Sequence, residues 1–183
     1  MKKYNKKKGF TLIELLAVIV VLAIVSVLGA TLILPALANA RKDAFVTESN
    51  NFLEGASNGV NMIQVGTITN QELTNIGTDY KYNETKSGDT VTSRTYCFTL
   101  AGLIKLGLFN KKTDASGKVP DYNGKVVVTV NTGSKLYQYK TTFSNKDYYV
   151  KEVIGNIKES DVGEYKTGEN FSTTALGLSD ACN

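Results

Sequence analysis

The 183 residues, 42% hydrophobic and 21% charged, have the composition of a folded chain with room for one domain, or a small domain with an appendage. Sixteen glycines and two prolines without a repeat exclude collagen-like and proline-rich designs, while ten tyrosines and seven phenylalanines supply a core. The formal charge of +4 does not mark a nucleic-acid binder: Lys2, Lys3, Lys6, Lys7 and Lys8 account for five of the 21 basic residues, and the other 16 face 17 acidic ones, so no basic stripe remains to neutralise phosphates.

The lysine cluster is followed by 26 consecutive uncharged residues between Glu14 and Arg41, rich in Leu, Ile, Val and Ala. About 20 such residues cross a bilayer, so this stretch predicts a membrane-spanning helix. The positive-inside tendency keeps the lysines in the cytoplasm and delivers the carboxy-terminal part outside. A secretory signal peptide opens in a similar way, and Ala38-Asn39-Ala40 has the form of a cleavage site, but its apolar region runs only about 7–15 residues. An uncleaved anchor is the other plain reading. Glu14 argues against both, because a carboxylate in hydrocarbon costs about 2.5–3.5 kcal/mol on insertion scales and calls for a partner.

At Gly9-Phe10-Thr11-Leu12-Ile13-Glu14-Leu15-Leu16, behind a short basic leader and ahead of a long apolar helix, the sequence resembles the type IV pilin and pseudopilin superfamily. The resemblance covers about the first 40 residues. It implies that residues 1–9 are a leader, removed by a membrane aspartyl prepilin peptidase that cuts between Gly9 and Phe10 and methylates the new Phe10 amine. Residues 10–40 then form the transmembrane and assembly helix, and residues 41–183 an extracytoplasmic head. Phe10, Thr11 and Glu14 are the implied assembly residues, with the Glu14 carboxylate pairing with the terminal amine of a neighbouring subunit so that neither charge is buried alone.

The same resemblance implies a structural subunit of a pilus-like filament, with adhesion, motility or DNA uptake as its roles. The implied partners are further copies of the chain, the prepilin peptidase, an assembly ATPase and a membrane platform protein. The implied location is the cytoplasmic membrane with the amino terminus inside, then a surface filament. A minor pilin, a pseudopilin of a secretion or competence machine, and an uncleaved membrane-anchored binding domain are the alternatives. One departure stands out: many members carry a proline near the middle of the apolar helix, whereas here the first is Pro35, after Gly29.

Beyond Arg41, Phe45, Phe52, Ala56, Val60 and Ile63 fall on one helical face among polar residues. This predicts one helix from about Phe10 to about Val65, interrupted or bent near Gly29 to Pro35, with Gly66 as its stop signal. Residues 66–95, polar and rich in Thr, Asn and Gly, read as a surface connection with short local structure, and Cys97 to Gly107 as a short apolar helix. Lys125 to Val130 and Lys135 to Phe143, separated by Asn131-Thr132-Gly133-Ser134, predict a hairpin. Asp147 to Val153 adds a third strand to an antiparallel meander, and the last thirty residues read mostly as loop. The expected fold class is therefore α+β: a long amino-terminal helix, half membrane-spanning and half amphipathic, packed on a small antiparallel sheet, as in type IV pilins.

Cys97 and Cys182 are the two cysteines, and outside a membrane they can oxidise to one internal bond, with two free thiols as the alternative. A carboxy-terminal cysteine loop also resembles one found in many type IV pilins. With no histidine, the chain lacks the ordinary base of a catalytic triad and the commonest metal ligand. Asp79, Asp89, Asp114 and Asp121 fall in predicted loops without calcium-loop spacing and read as solvated, and no glycine-rich phosphate loop is found. The chain is read as non-enzymatic, without metal, cofactor or specific nucleic-acid site, its tyrosines covering the sheet. Two short glycosylation patterns, at Asn83 and Asn170, are of a kind that arises by chance.

Overall fold

The computed structural model describes residues 10–110, 121–165 and Cys182. Gly9, the leader lysines, Asp114 and the Asn170 pattern lie outside the described residues. The chain divides into two units, Met1–Arg41 and Lys42–Asn183, and the first helix, α1 (Leu12–Gln64), contributes to both.

In the first unit α1 is apolar on every side and uncovered: the large hydrophobic residues from Phe10 to Leu37 are all exposed. A helix of this kind has the surface of a bilayer span, and it contains an 18-residue apolar window with none of its residues buried. The interruption expected near Gly29 to Pro35 does not occur, since the segment is helical throughout, with Pro35 inside α1. Proline removes one N–H donor, and the hydrogen-bonded turns of Leu, Ile and Ala on either side keep the helix going past that one lost bond.

In the second unit α1 becomes amphipathic, as its spacing predicts. Phe45, Phe52, Ala56 and Val60 are buried together with Tyr96, Phe98, Val126, Val128, Phe143 and Val150 of the sheet. Full burial of such a side chain contributes about 1.5–3 kcal/mol, so this stripe is the main tie between helix and sheet. Phe52 stacks on Phe143 with centroids 5.1 Å apart and meets Phe109 edge-on at 5.8 Å. The packing is close enough to require glycine at several points, Gly55 and Gly124 among them. A Cβ at Gly55 would lie 2.6 Å from the backbone oxygen of Leu108, and one at Gly124 would lie 2.7 Å from the Phe143 ring and 3.0 Å from that of Phe52.

Among the described residues the sheet has six strands: β1 (Tyr80–Ser87), β2 (Thr90–Thr99), β3 (Asn123–Asn131), β4 (Tyr137–Ser144), β5 (Tyr148–Ile154) and β6 (Gly163–Glu164). They are antiparallel and lie in chain order. The fold is thus α+β, a long amino-terminal helix with an antiparallel sheet, consistent with the type IV pilin-like fold. In β3, Val126, Val128 and Val130 face the core, alternating with the half-buried Lys125, Val127 and Thr129. Tyrosines line this sheet as expected, Tyr96 buried and Tyr80, Tyr137, Tyr139 and Tyr148 packed against the core.

Two expectations are corrected and a third is given its form. The short local structure of residues 66–95 is α2 (Asn70–Ile76) and the hairpin of β1 with most of β2, turning at Gly88-Asp89 between the paired Ser87 and Thr90. Gly88 takes φ 62°, the left-handed conformation such a turn needs. β1 escaped notice because it is an edge strand exposed along nearly all its length, so no apolar alternation marks it. Cys97 to Thr99 are strand rather than helix, because they pair with Val127, Val126 and Lys125. Helix α3 (Leu100–Lys105) starts only after Thr99, whose hydroxyl accepts from the Gly102 N–H at 3.1 Å. Asp79 is not merely solvated: its carboxylate accepts from the Thr99 hydroxyl and the Lys105 ammonium, each at 2.7 Å.

Candidate processing and assembly site

Phe10, just ahead of α1, is 88% exposed. The next residue begins the helix: the Thr11 carbonyl accepts from the Leu15 N–H at 3.2 Å, and the Glu14 N–H reaches the Thr11 hydroxyl at 3.3 Å. In return Glu14 Oε2 accepts from the Thr11 N–H at 2.8 Å and from the Thr11 hydroxyl at 2.9 Å. Thr-x-x-Glu is the sequence form of a capping box, which satisfies N–H groups that the first turn of a helix leaves unpaired. The carboxylate also sits at the positive end of the helix dipole. Thr11 and Glu14, both singled out from the sequence, are thus brought together within one chain. The capping role was not anticipated, although the spacing of the two residues carries its signal.

The pattern recurs in the second unit. Thr69 caps α2, and the Glu72 carboxylate accepts from the Thr69 N–H and hydroxyl, both at 2.8 Å. The bond from the Thr69 backbone, followed by that from its hydroxyl, holds the Glu72 carboxyl below the usual range.

Cys97 and Cys182 are joined by a disulfide with their Cα atoms 5.6 Å apart. Cys97 alternates along β2 with Tyr96 and Phe98 of the core, so it belongs to the sheet face turned away from α1. Both cysteines are buried, which places Cys182 against that outer face. The disulfide closes a segment of 85 residues that includes every strand from β3 onwards.

Residues 4–30 match the model of the prokaryotic N-terminal methylation motif. The amino-terminal segment is thus the class III signal of type IV pilins and pseudopilins. The matched residues contain the whole Gly9 to Leu16 stretch, the Thr11–Glu14 pair and the first part of the uncovered helix. No curated protein and no solved structure matches the chain.

Proposed function

We propose that the chain is a structural subunit of a type IV pilus-like filament, cut after Gly9 and polymerised through the helix of residues 10–40. The observation that carries this reading is an uncovered apolar helix starting inside a methylation motif. Such a surface needs apolar cover at every stage. The cytoplasmic membrane covers it first, with the lysines inside, and the equivalent helices of other subunits cover it in the filament.

Cleavage by the prepilin peptidase releases the Phe10 nitrogen as an amine, and methylation leaves its charge in place. That cation enters the filament interior close to the Glu14 carboxylate of a neighbour, which offsets the cost of burying either charge alone. Extraction from the bilayer is the work of an assembly ATPase and a membrane platform, so this chain catalyses nothing. Within this reading, a major pilin differs from a minor pilin or pseudopilin by abundance in the filament.

Mass spectrometry of the amino-terminal peptide, from sheared surface filaments and from membranes in parallel, tests the proposal. Methylated Phe10 in the filament fraction is the expected result. Processed protein confined to membranes assigns the chain to a minor pilin or pseudopilin, and an intact leader in both fractions overturns the processing step.

A further inference from the structure

The inner face of the sheet is not fully covered. Where α1 ends, the face of β1 and β2 continues and is walled by Gln64 of α1 and by Asn70 and Leu73 of α2, leaving a groove of about 420 Å³. Its floor is Tyr80, Tyr82, Tyr96 and Arg94. Register explains the grouping: Tyr82 pairs with Tyr96 and Glu84 with Arg94, so these side chains share the face that carries Val128 and Val130. The volume falls within the range of small-molecule sites, and an aromatic floor with a few convergent polar groups is their usual form.

Two features narrow the ligand. The first is an aromatic surface left uncovered: Tyr82 is 40% exposed, and its ring is held against Tyr96 with centroids 5.1 Å apart. The second is a fixed set of hydrogen-bonding groups with a single excess positive charge. The Tyr82 hydroxyl donates to the Glu84 carboxylate, which also meets the Arg94 guanidinium at 3.4 Å and the exposed Lys86 ammonium at 3.9 Å, so two cations share one carboxylate beside the ring. Partial desolvation and the bond to Glu84 push the Tyr82 phenol up to about 12, so it remains a donor. On the wall, the Tyr137 hydroxyl is shared between Asn61 Oδ1 at 2.9 Å and Gln64 Oε1 at 3.2 Å, and the Gln64 amide offers an NH₂ donor.

Nucleic acid needs a run of uncompensated cations to neutralise successive phosphates, and one excess charge shared between Arg94 and Lys86 does not make one. An extended peptide needs a strand edge or a row of apolar pockets, and this groove lies on the face of the sheet. A sugar ring fits both features: its C–H face lies on an aromatic ring, and its hydroxyls both donate and accept. We infer that the groove binds an uncharged saccharide, one pyranose ring resting on Tyr82 with its hydroxyls on Arg94, which Glu84 holds in place, and on the Gln64 and Asn70 amides. The inference does not depend on leader cleavage or filament assembly.

The test uses the full chain in a detergent without a sugar headgroup and a panel of neutral disaccharides in gluco, galacto, manno and N-acetyl forms, read by saturation-transfer NMR. A sialylated trisaccharide and an alanine tetrapeptide accompany them. Saturation of at least one neutral disaccharide is expected, with affinity reduced about three- to tenfold in Tyr82→Ala, the size of one aromatic contact. Tyr82→Phe, which keeps the ring and loses the bond to Glu84, is expected to lie between Tyr82→Ala and the parent. Ile154→Ala, at an exposed position outside the groove, is expected to bind as the parent does. Silence of the whole neutral panel, binding of only the sialylated sugar or the peptide, or equal affinity in the parent and both Tyr82 variants overturns the inference.

Discussion

Glu14 is closed onto Thr11 by the same contacts that close Glu72 onto Thr69: a backbone N–H at 2.8 Å in both, a hydroxyl at 2.9 and 2.8 Å, and a return bond at 3.3 Å in both. One pair lies in the apolar unit and the other in a short solvent-facing helix. The shared geometry separates two roles for Glu14, a local cap and an intermolecular charge. Thr11→Val removes the hydroxyl bonds and keeps the carboxylate, at about 1 kcal/mol of helix stability. Glu14→Leu removes both. Filament assembly through an ion pair predicts that Thr11→Val still yields sheared filaments while Glu14→Leu inserts in the membrane and is not recruited. Equal filament yield from the two variants and the parent would sink the ion-pair role.

Leader removal is tested one residue upstream of Phe10. A bulky replacement, Gly9→Trp, is expected to leave the lysine leader attached and to abolish assembly, since it puts a large side chain beside the proposed cut where glycine brings none. The peptide mass reads the outcome directly, and normal filaments from such a strain contradict the processing claim.

Gly55 predicts a packing defect in the head. Gly55→Val forces a Cβ into the Leu108 carbonyl, 2.6 Å away, at a point where backbone rather than a flexible side chain must yield. Overpacking of this kind costs about 1–3 kcal/mol, and the helix propensity gained over glycine does not recover it. Urea unfolding of the full chain in detergent, followed by tyrosine fluorescence, is expected to show a lower midpoint than in Gly29→Val, where a Cβ meets nothing within 4 Å.

The disulfide predicts a larger loss. Closing a segment of 85 residues restricts the unfolded chain by about 4–5 kcal/mol in the chain-entropy account. Cys97→Ser with Cys182→Ser is therefore expected to unfold at much lower urea than the parent, and reduction of the parent is expected to bring its midpoint down to that of the double variant. A midpoint unmoved by reduction would remove the disulfide from the account of stability.

One carboxyl pair sets a pH dependence of unusual sign. A hydrogen bond with Asp43, then the Asp43 charge, then desolvation raise the Glu159 carboxyl above its ordinary value, against a smaller opposing effect of Lys42. The folded chain therefore keeps this proton to higher pH than the unfolded chain does. The associated stability is full below the unfolded value and is lost as pH rises through the folded one. Glu159→Gln is expected to match the parent near the acid end and to exceed it at neutral pH. Asp79 has the opposite sign. Burial raises it, but the bonds from Lys105 and Thr99 and the Lys105 charge lower it further, so its contribution is lost on acidification. The difference between parent and Glu159→Gln isolates the first effect, and a difference that does not grow with pH contradicts it.

The parts of the fold legible in the sequence are those where one physical pattern acts alone. The uncovered half of α1 is a run of apolar residues, its packed half has Phe45, Phe52, Ala56 and Val60 on one face, and β3 with β4 carries β-branched and aromatic runs around a polar turn. The β1–β2 hairpin was illegible because its first strand buries almost nothing, and only Gly88-Asp89 betrays the turn. Cys97 and Phe98 were misread because pairing with β3 overrides their local resemblance to the apolar helix that follows. At the candidate site the residue types were readable in Gly9 to Glu14. The closure of Thr11 on Glu14 is carried by the Thr-x-x-Glu spacing alone, which the intramembrane position of the charge masks.

Every strand of the sheet pairs with its neighbour in the chain, so no strand depends on one that follows its own partner. In the proposed topology the head follows the membrane helix outward in chain order, which makes order of arrival the same as order of assembly: each hairpin can close on the last, with little searching. Cys182 follows every strand, and its partner Cys97 belongs to the second strand to arrive. In that topology the disulfide acts as a latch across the described strands, and a reducing environment during delivery is expected to delay the latch while leaving the order of strand pairing unchanged.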